Sequence, residues 1–326
     1  MNDDRRAAPD DASLSRRALL ACAGAAAAGT LAGAEPASFP IIDTHLHLYD
    51  PTRPQGAPFP KTPNPPPFLP SDYSERAKPL GISGGIVVEA SPWVEDNLWV
   101  LMTIEKAPII VGLIGCLDPT KQEFREYLDR YHRNKLFLGI RYGNVWEGHD
   151  IVQAVETPLF IENMKAFAQT GLTYEIANPR FDLIDATVRL TDKVPDLRIV
   201  LGHLQALPLP TDPSALKTYA NTLKELRSRK LYAKISGVPR AAAQGAAAAK
   251  SVDDYDPALY KPMLDFLCEI FGEDYVVYAG VNKAPLEILR AYFMAKGRPA
   301  AEKYFWKNSV TAFRWIKRDP AQPQLA

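Results

Sequence analysis

The stretch PIIDTHLHLYDP, residues 40–51, sets the reading of the whole chain. Apolar and β-branched residues lead into two histidines one residue apart, His45 and His47, in a chain of 326 residues with only five histidines. Near-continuous hydrophobicity marks a strand buried on both faces, as in a parallel sheet. Side chains alternate along a strand, so Asp43, His45 and His47 are expected on one face, the imidazoles about 7 Å apart along the strand near its C-terminal end. Rings so placed can converge on one metal ion or one substrate carbonyl. Two core histidines satisfied by their neighbours are the plainer alternative.

Seven similar runs follow: GGIVVEAS (84–91), IIVGLIGCL (109–117), KLFLGIRYG (135–143), LTYEIA (172–177), RIVLGHL (198–204), LYAKISG (231–237) and YVVYAG (275–280). Between most of them lie stretches with apolar residues at three-to-four spacing, among them residues 94–107, 122–134, 158–170, 183–194, 218–230 and 260–272. Eight strands alternating with helices predict an α/β fold, a single-domain (β/α)8 TIM barrel over residues 38–318. A doubly wound sheet is the alternative, and the strand count favours the barrel. Residues 51–70 hold nine of the 29 prolines, which predicts a stiff extended loop after strand one, overhanging the C-terminal face. The Ala- and Gly-rich segment 239–257 reads as a weak helix or flap at the same face.

Lys and Arg total 38, as do Asp and Glu, and no basic block suggests nucleic acid. Residues 1–34 carry Arg16 and Arg17, then an apolar run, then Ala32-Gly33-Ala34. That order predicts a twin-arginine-type export signal and a periplasmic protein. Once it is removed, no long apolar run remains for stable membrane insertion, and Cys116 and Cys268 read as buried free thiols. The expected partner is a small molecule, anionic or sugar-derived. Assembly into a homo-oligomer stays open.

His203 ends the sixth run, and in a barrel that strand end faces the same mouth as the first. His132 lies in a charged helix and reads as surface, while His149 follows strand four with no assigned role. Glu175 and Tyr174 on strand five and Tyr142 beside strand four are candidate substrate contacts, with packing as the alternative. Lys234 in strand seven needs a partner, either Glu175 or an anionic substrate.

Together, IDTHLHLYDP, the proline-rich loop, VVEASPWVEDN, GIRYGN, PDLRIVLGHL, YAKISG and FGEDYVVY resemble the amidohydrolase superfamily over nearly all of residues 38–316. More narrowly they are similar to its amidohydrolase-related (amidohydrolase 2) group, which includes sugar-acid lactonases, dicarboxylate lactone hydrolases and some decarboxylases. The resemblance implies a barrel with a polar centre at its strand ends. It matches His45 and His47 to the first-strand motif and His203 to the sixth-strand histidine. Glu89 takes the place of a carboxylate near the metal, and Arg141 that of an arginine holding a substrate carboxylate or hydroxyl. The implied metal set is His45, His47, His203 and Glu89, with Zn2+ or another divalent ion; operation without metal is the alternative.

The pattern breaks at strand eight, where the family usually ends in a Gly-Ser-Asp-Trp-Pro-like sequence. Here FGEDYVVYAGVNKAPLE has no carboxylate at that point, and Asn282 is the nearest match, with Lys283 in place of the Trp. An amide does not take a proton from water near neutral pH. Asp274 comes too early and Glu287 too late, so a base would come from Glu89, Glu175 or a histidine. The resemblance therefore implies a hydrolase of a lactone or related cyclic ester of a sugar acid or dicarboxylate, its carbonyl polarised by the histidine centre or a bound metal. A metal-dependent decarboxylase of a small unsaturated or aromatic acid is the second reading. A degenerate barrel that binds without turnover is the third, argued from the missing carboxylate.

Overall fold

A computed structural model describes residues 39–177, 180–204, 207–236 and 260–325. The expected export signal and the segment 239–257 lie outside the described residues. Eight parallel strands form one sheet in sequence order: β1 Ile41–Leu46, β2 Ile82–Val88, β3 Ile110–Gly115, β4 Phe137–Arg141, β5 Thr173–Ile176, β6 Arg198–Leu201, β7 Tyr232–Ser236 and β8 Val276–Ala279. Helices run between them: α1 Pro70–Ala77, α2 Glu95–Glu105, α3 Phe124–Tyr131, α4 Ile151–Ala154, α5 Pro158–Thr170, α6 Phe181–Lys193 and α7 Pro213–Ser228, of which α1 and α4 add to the helices that the sequence predicts. The chain is a TIM barrel. Each strand is shorter than its apolar run.

Side chains draw the ring together where β8 meets β1. Thr44 Oγ1 donates to Tyr278 O at 2.6 Å, and the Gly280 N–H donates to Asp43 Oδ1 at 2.7 Å. Between β4 and β5 the approach is set by a missing side chain, since a Cβ on Gly139 would run into the Thr173 carbonyl. Outside the ring, α5 starts on a proline in its first turn and stops at Gly171 in the left-handed region. Its buried Phe160 and Phe167 meet the rings of Tyr142 and Tyr174 at 5.8 and 6.4 Å.

The N-terminal ends of the strands are plugged. Ile42, Ile86, Val111, Leu138, Val200 and Val277 form one buried cluster with Trp306, Phe313 and Trp315 from the C-terminal segment. Thr173 Oγ1 donates to Ala312 O at 2.8 Å, and Arg318 donates to the carbonyls of Ile104, Ala107 and Ile110 at 3.0, 3.3 and 2.5 Å. Each large apolar side chain buried there stabilises the fold by about 1.5–3 kcal/mol. With the bottom closed by packing, the opposite rim is left to carry chemistry.

Candidate active site

β1 does not keep one alternation along its length. Ile42 belongs to the interior cluster, and the pairing of β1 with β2 slips between Asp43 and Leu46. Asp43 therefore does not join the histidines as expected. Its carboxylate accepts from Tyr73 Oη of α1, from the Gly280 N–H and from the His45 N–H. Burial raises its pKa to about 6 against those hydrogen bonds.

Beyond the slip, His45 and His47 converge. Their Nε2 atoms are 3.1 Å apart and the rings meet edge-on, with centroids 4.8 Å apart. His203 completes the group, its ring centroid 4.4 Å from that of His45. It follows β6 and Gly202 with φ +58°, a left-handed conformation uncommon outside glycine, and its Nδ1 lies 2.7 Å from Ser236 Oγ of β7. Two strands distant in sequence, β1 and β6, thus supply three adjacent imidazoles.

Burial holds two of these rings neutral. His45 is lowered well below the usual histidine value by desolvation, then by the charges of His203 and Lys234. His47 is pushed down to about 3 by desolvation and the nearby Arg141 cation. His47 Nδ1 faces only carbonyl oxygens, Val88 O at 3.0 Å and Glu89 O at 3.1 Å. A carbonyl can only accept, so Nδ1 carries the proton and Nε2 presents a lone pair to the mouth.

Glu89 is bound to Arg141 and Trp146. Arg141 Nε donates to Glu89 Oε1 at 2.6 Å and Nη2 to Glu89 O at 2.9 Å, while Trp146 Nε1 donates to Oε2 at 2.9 Å. Desolvation raises the Glu89 pKa and the Arg141 cation opposes that. Both carboxylate oxygens accept hydrogen bonds from these donors. Arg141 Nη1 makes no hydrogen bond among the described residues.

One layer down, Glu175 and Lys234 are fully buried and paired, Oε2 to Nζ at 2.6 Å. Both point into the barrel, but neither has exposed surface, so the expected substrate contacts become internal ones. Tyr142 and Tyr174 are corrected more strongly. The same alternation that turns Arg141 and Glu175 inward turns their neighbours out, onto α5 and, for Tyr142, onto His149 at 4.7 Å. Asn282 is exposed just before the helix Lys283–Ala295 and makes no side-chain hydrogen bond among the described residues.

Phe59, Trp146 and Ser236 were not anticipated. The proline-rich loop does overhang the mouth, and its Phe59 ring sits 4.6 Å from that of His47. Tyr49 and Phe68 pair by two backbone hydrogen bonds of 3.1 and 2.8 Å and draw the loop ends together. Arg53 fastens the loop to α2, with two bonds to Asp96 at 2.9 and 3.0 Å and its guanidinium 4.0 Å from the Trp99 ring centroid. Ser236 was legible, lying two residues from Lys234 on one strand face. Nothing in the sequence aimed Phe59 at a histidine.

The metal expectation is tested by the donors. The 3.1 Å between two Nε2 atoms suits two ligands on one ion with bonds of about 2.0–2.1 Å. Among the described residues, however, no group of three or more His, Cys, Asp or Glu side chains is arranged to hold one. The nearby carboxylates are committed to Arg141 and Lys234. The residues do not make a complete ligand set.

The model of the amidohydrolase family described as "Amidohydrolase" matches residues 42–280. No curated protein matches. Among solved structures, the chain is similar to an amidohydrolase from Burkholderia multivorans with bound zinc, at 16% identity and TM-score 0.68, over 85% of this chain and 99% of that one. It is similar to a probable 2-pyrone-4,6-dicarboxylic acid hydrolase from Acinetobacter baumannii with citric acid bound, at 14% identity and TM-score 0.64, over 84% and 99%. A 2,6-dihydroxybenzoate decarboxylase from Rhizobium aligns at 14% identity and TM-score 0.55, over 84% and 98%. At these identities the structures speak for the fold, and the family match covers most of the barrel: the chain belongs to the amidohydrolase family.

Proposed function

We propose that this amidohydrolase hydrolyses a lactone or related cyclic ester of a sugar acid or dicarboxylate. The observation that carries the reading is the convergence of His45, His47 and His203 at the strand ends beside Arg141. Arg141 Nη1 holds an anionic group of the substrate, braced from behind by Glu89. The imidazoles contact the carbonyl and the attacking water, with His47 Nε2 accepting from that water. His203, anchored at Nδ1 by Ser236, is the candidate to take up the proton. Hydrolysis adds water across the ester bond, giving a hydroxy acid whose ionisation releases a proton. No step is assigned to a metal; zinc binding would require a third ligand to be recruited to His45 and His47.

The zinc-bound and decarboxylase neighbours supply the competing outcomes. The experiment is proton release on a panel of anionic and neutral lactones, with metal content of the purified protein and carbon dioxide release measured in parallel. Turnover of anionic lactones above neutral ones supports the proposal. Carbon dioxide release from unsaturated or aromatic acids would replace it with the decarboxylase reading, and tight binding without product would replace it with a degenerate binding barrel. We also propose export by the twin-arginine route, checked by fractionating cells that express the Arg16→Lys/Arg17→Lys variant; no helix among the described residues is long and apolar enough to cross a membrane.

A further inference from the structure

The Glu175–Lys234 pair lies directly beneath the imidazole centre and takes no part in the reading above. Lys234 Nζ donates to Glu175 Oε2 at 2.6 Å and to Thr44 O at 2.8 Å. The Phe313 ring lies 5.5 Å from it. An ammonium has three N–H groups, and the remaining polar neighbour is His45 Nδ1 at 3.4 Å. The same Nδ1 lies 3.5 Å from Glu175 Oε1, a buried oxygen with no hydrogen-bond partner. His45 Nδ1 therefore faces a donor and an acceptor at nearly equal distance, and can be bare toward Lys234 or protonated toward Glu175.

The other ring nitrogen resolves the choice. His47 is protonated at Nδ1 by its two carbonyl partners, so its Nε2 is bare, 3.1 Å from His45 Nε2. Two bare lone pairs at that distance repel, so His45 Nε2 carries the proton. His45 Nδ1 is then bare and accepts from Lys234. One chain of donors follows: Lys234 to His45, His45 to His47, and His47 to the β2 carbonyls. Each link requires the next.

We propose that the bare Nε2 of His47 and the Lys234 ammonium, held by Glu175, together fix the proton of His45 on Nε2, so that this imidazole enters the mouth as a neutral N–H donor. Glu175 and Lys234 are positioning residues that act through His45. With substrate present, that N–H turns from His47 to the carbonyl oxygen; this last step rests on the hydrolytic reading, while the tautomer does not. Two charges set in a dry layer between an aromatic plug and a reactive ring are a costly way to stabilise a core, since a well-packed apolar pair of similar volume serves as well or better. Their directional contact with His45 is what an apolar pair cannot supply.

The test is proton-detected 15N NMR of the full-length chain labelled at histidine and dialysed against EDTA, in which the two imidazole tautomers give different nitrogen shifts. The wild type is expected to show His45 protonated at Nε2 only. Lys234→Met removes one of the two constraints, leaves Glu175 Oε1 as the sole partner of Nδ1, and is expected to raise the population protonated at Nδ1. Glu175→Gln keeps the lysine and is expected to keep the proton on Nε2. A wild-type His45 protonated at Nδ1 overturns the proposal, and this arm needs no variant to fold. A Lys234→Met variant with no gain in the Nδ1-protonated population overturns it as well. On a hydrolysed lactone, Lys234→Met is expected to lower kcat by about tenfold or more with KM within about twofold, as for loss of one donor to a developing oxyanion. A chain that hydrolyses no lactone yet shows these tautomers refutes the hydrolytic reading and leaves this one standing.

Discussion

Among the described residues, two buried carboxylate–cation pairs in the barrel are put to opposite use. Glu89–Arg141 sits at the rim, where the carboxylate is held by a guanidinium and an indole and one arginine nitrogen is left toward the mouth. Glu175–Lys234 sits a layer lower with no exposed surface, and its neighbours are a carbonyl, an imidazole and an aromatic ring. Desolvation penalises both alike. They differ in what they face. In the proposed reaction the upper pair presents charge to the substrate, and the lower pair presents charge to His45, which meets the substrate. A strand with period two builds both, since Arg141 and Glu175 are paired across β4 and β5 in the same register.

That contrast can be broken from the top. Arg141→Lys keeps the charge but loses the fork that grips Glu89 and the substrate together. It is expected to lower kcat/KM for an anionic lactone by at least about a hundredfold, with a much smaller loss on a neutral lactone, read from steady-state kinetics. Equal losses on both would mean that Arg141 braces the barrel and does not read the anion. The lower pair gives the largest stability effect. Lys234→Ala strands the Glu175 carboxylate and is expected to destabilise by about 3–5 kcal/mol, whereas Lys234→Met/Glu175→Leu is expected near neutral, measured by urea unfolding. At the bottom, Phe313→Ala removes the ring beneath the lysine and is expected to cost about 3–5 kcal/mol in the same assay while kcat changes little.

Acid provides a smaller and graded test. A histidine held at about 3 refuses a proton that the unfolded chain accepts below about 6.5. Its contribution to stability is therefore present above that pH and is lost as pH falls from about 6.5 toward 3, by at most about 1.4 kcal/mol per pH unit. His45 acts in the same direction. Asp43, raised to about 6, acts oppositely, and its contribution falls as pH rises from about 4 through 6. Thermal unfolding across that range is expected to show a shallower acid loss in His47→Gln than in the wild type.

Much of this arrangement was legible from the sequence. Eight apolar runs alternating with helical periods gave the barrel, and His45, His47 and His203 were placed at one mouth because strand ends in a barrel share a face. The failures have one physical source. Period-two reasoning assumes an unbroken strand, and the slip in β1 sent Asp43 outward to Tyr73. It also leaves a residue's side undecided until its strand is placed, which is why Tyr142 and Tyr174 were retained as contacts although they pack on α5. Glu89 enters the metal set only through the family resemblance. Its commitment to Trp146 depends on the path of a loop that no local pattern encodes. Phe59 reaches His47 through a loop end pairing, Tyr49 with Phe68, set by distant residues.

The central claim is that imidazoles from β1 and the end of β6 work as one unit on a carbonyl. A double-mutant cycle of His45→Gln and His203→Gln, measured as kcat/KM on the best lactone, tests it most directly. The account predicts that each single variant loses nearly as much as the double, since a centre missing one member has little left to lose. Losses that add independently, or a His203→Gln variant with wild-type turnover, would contradict it.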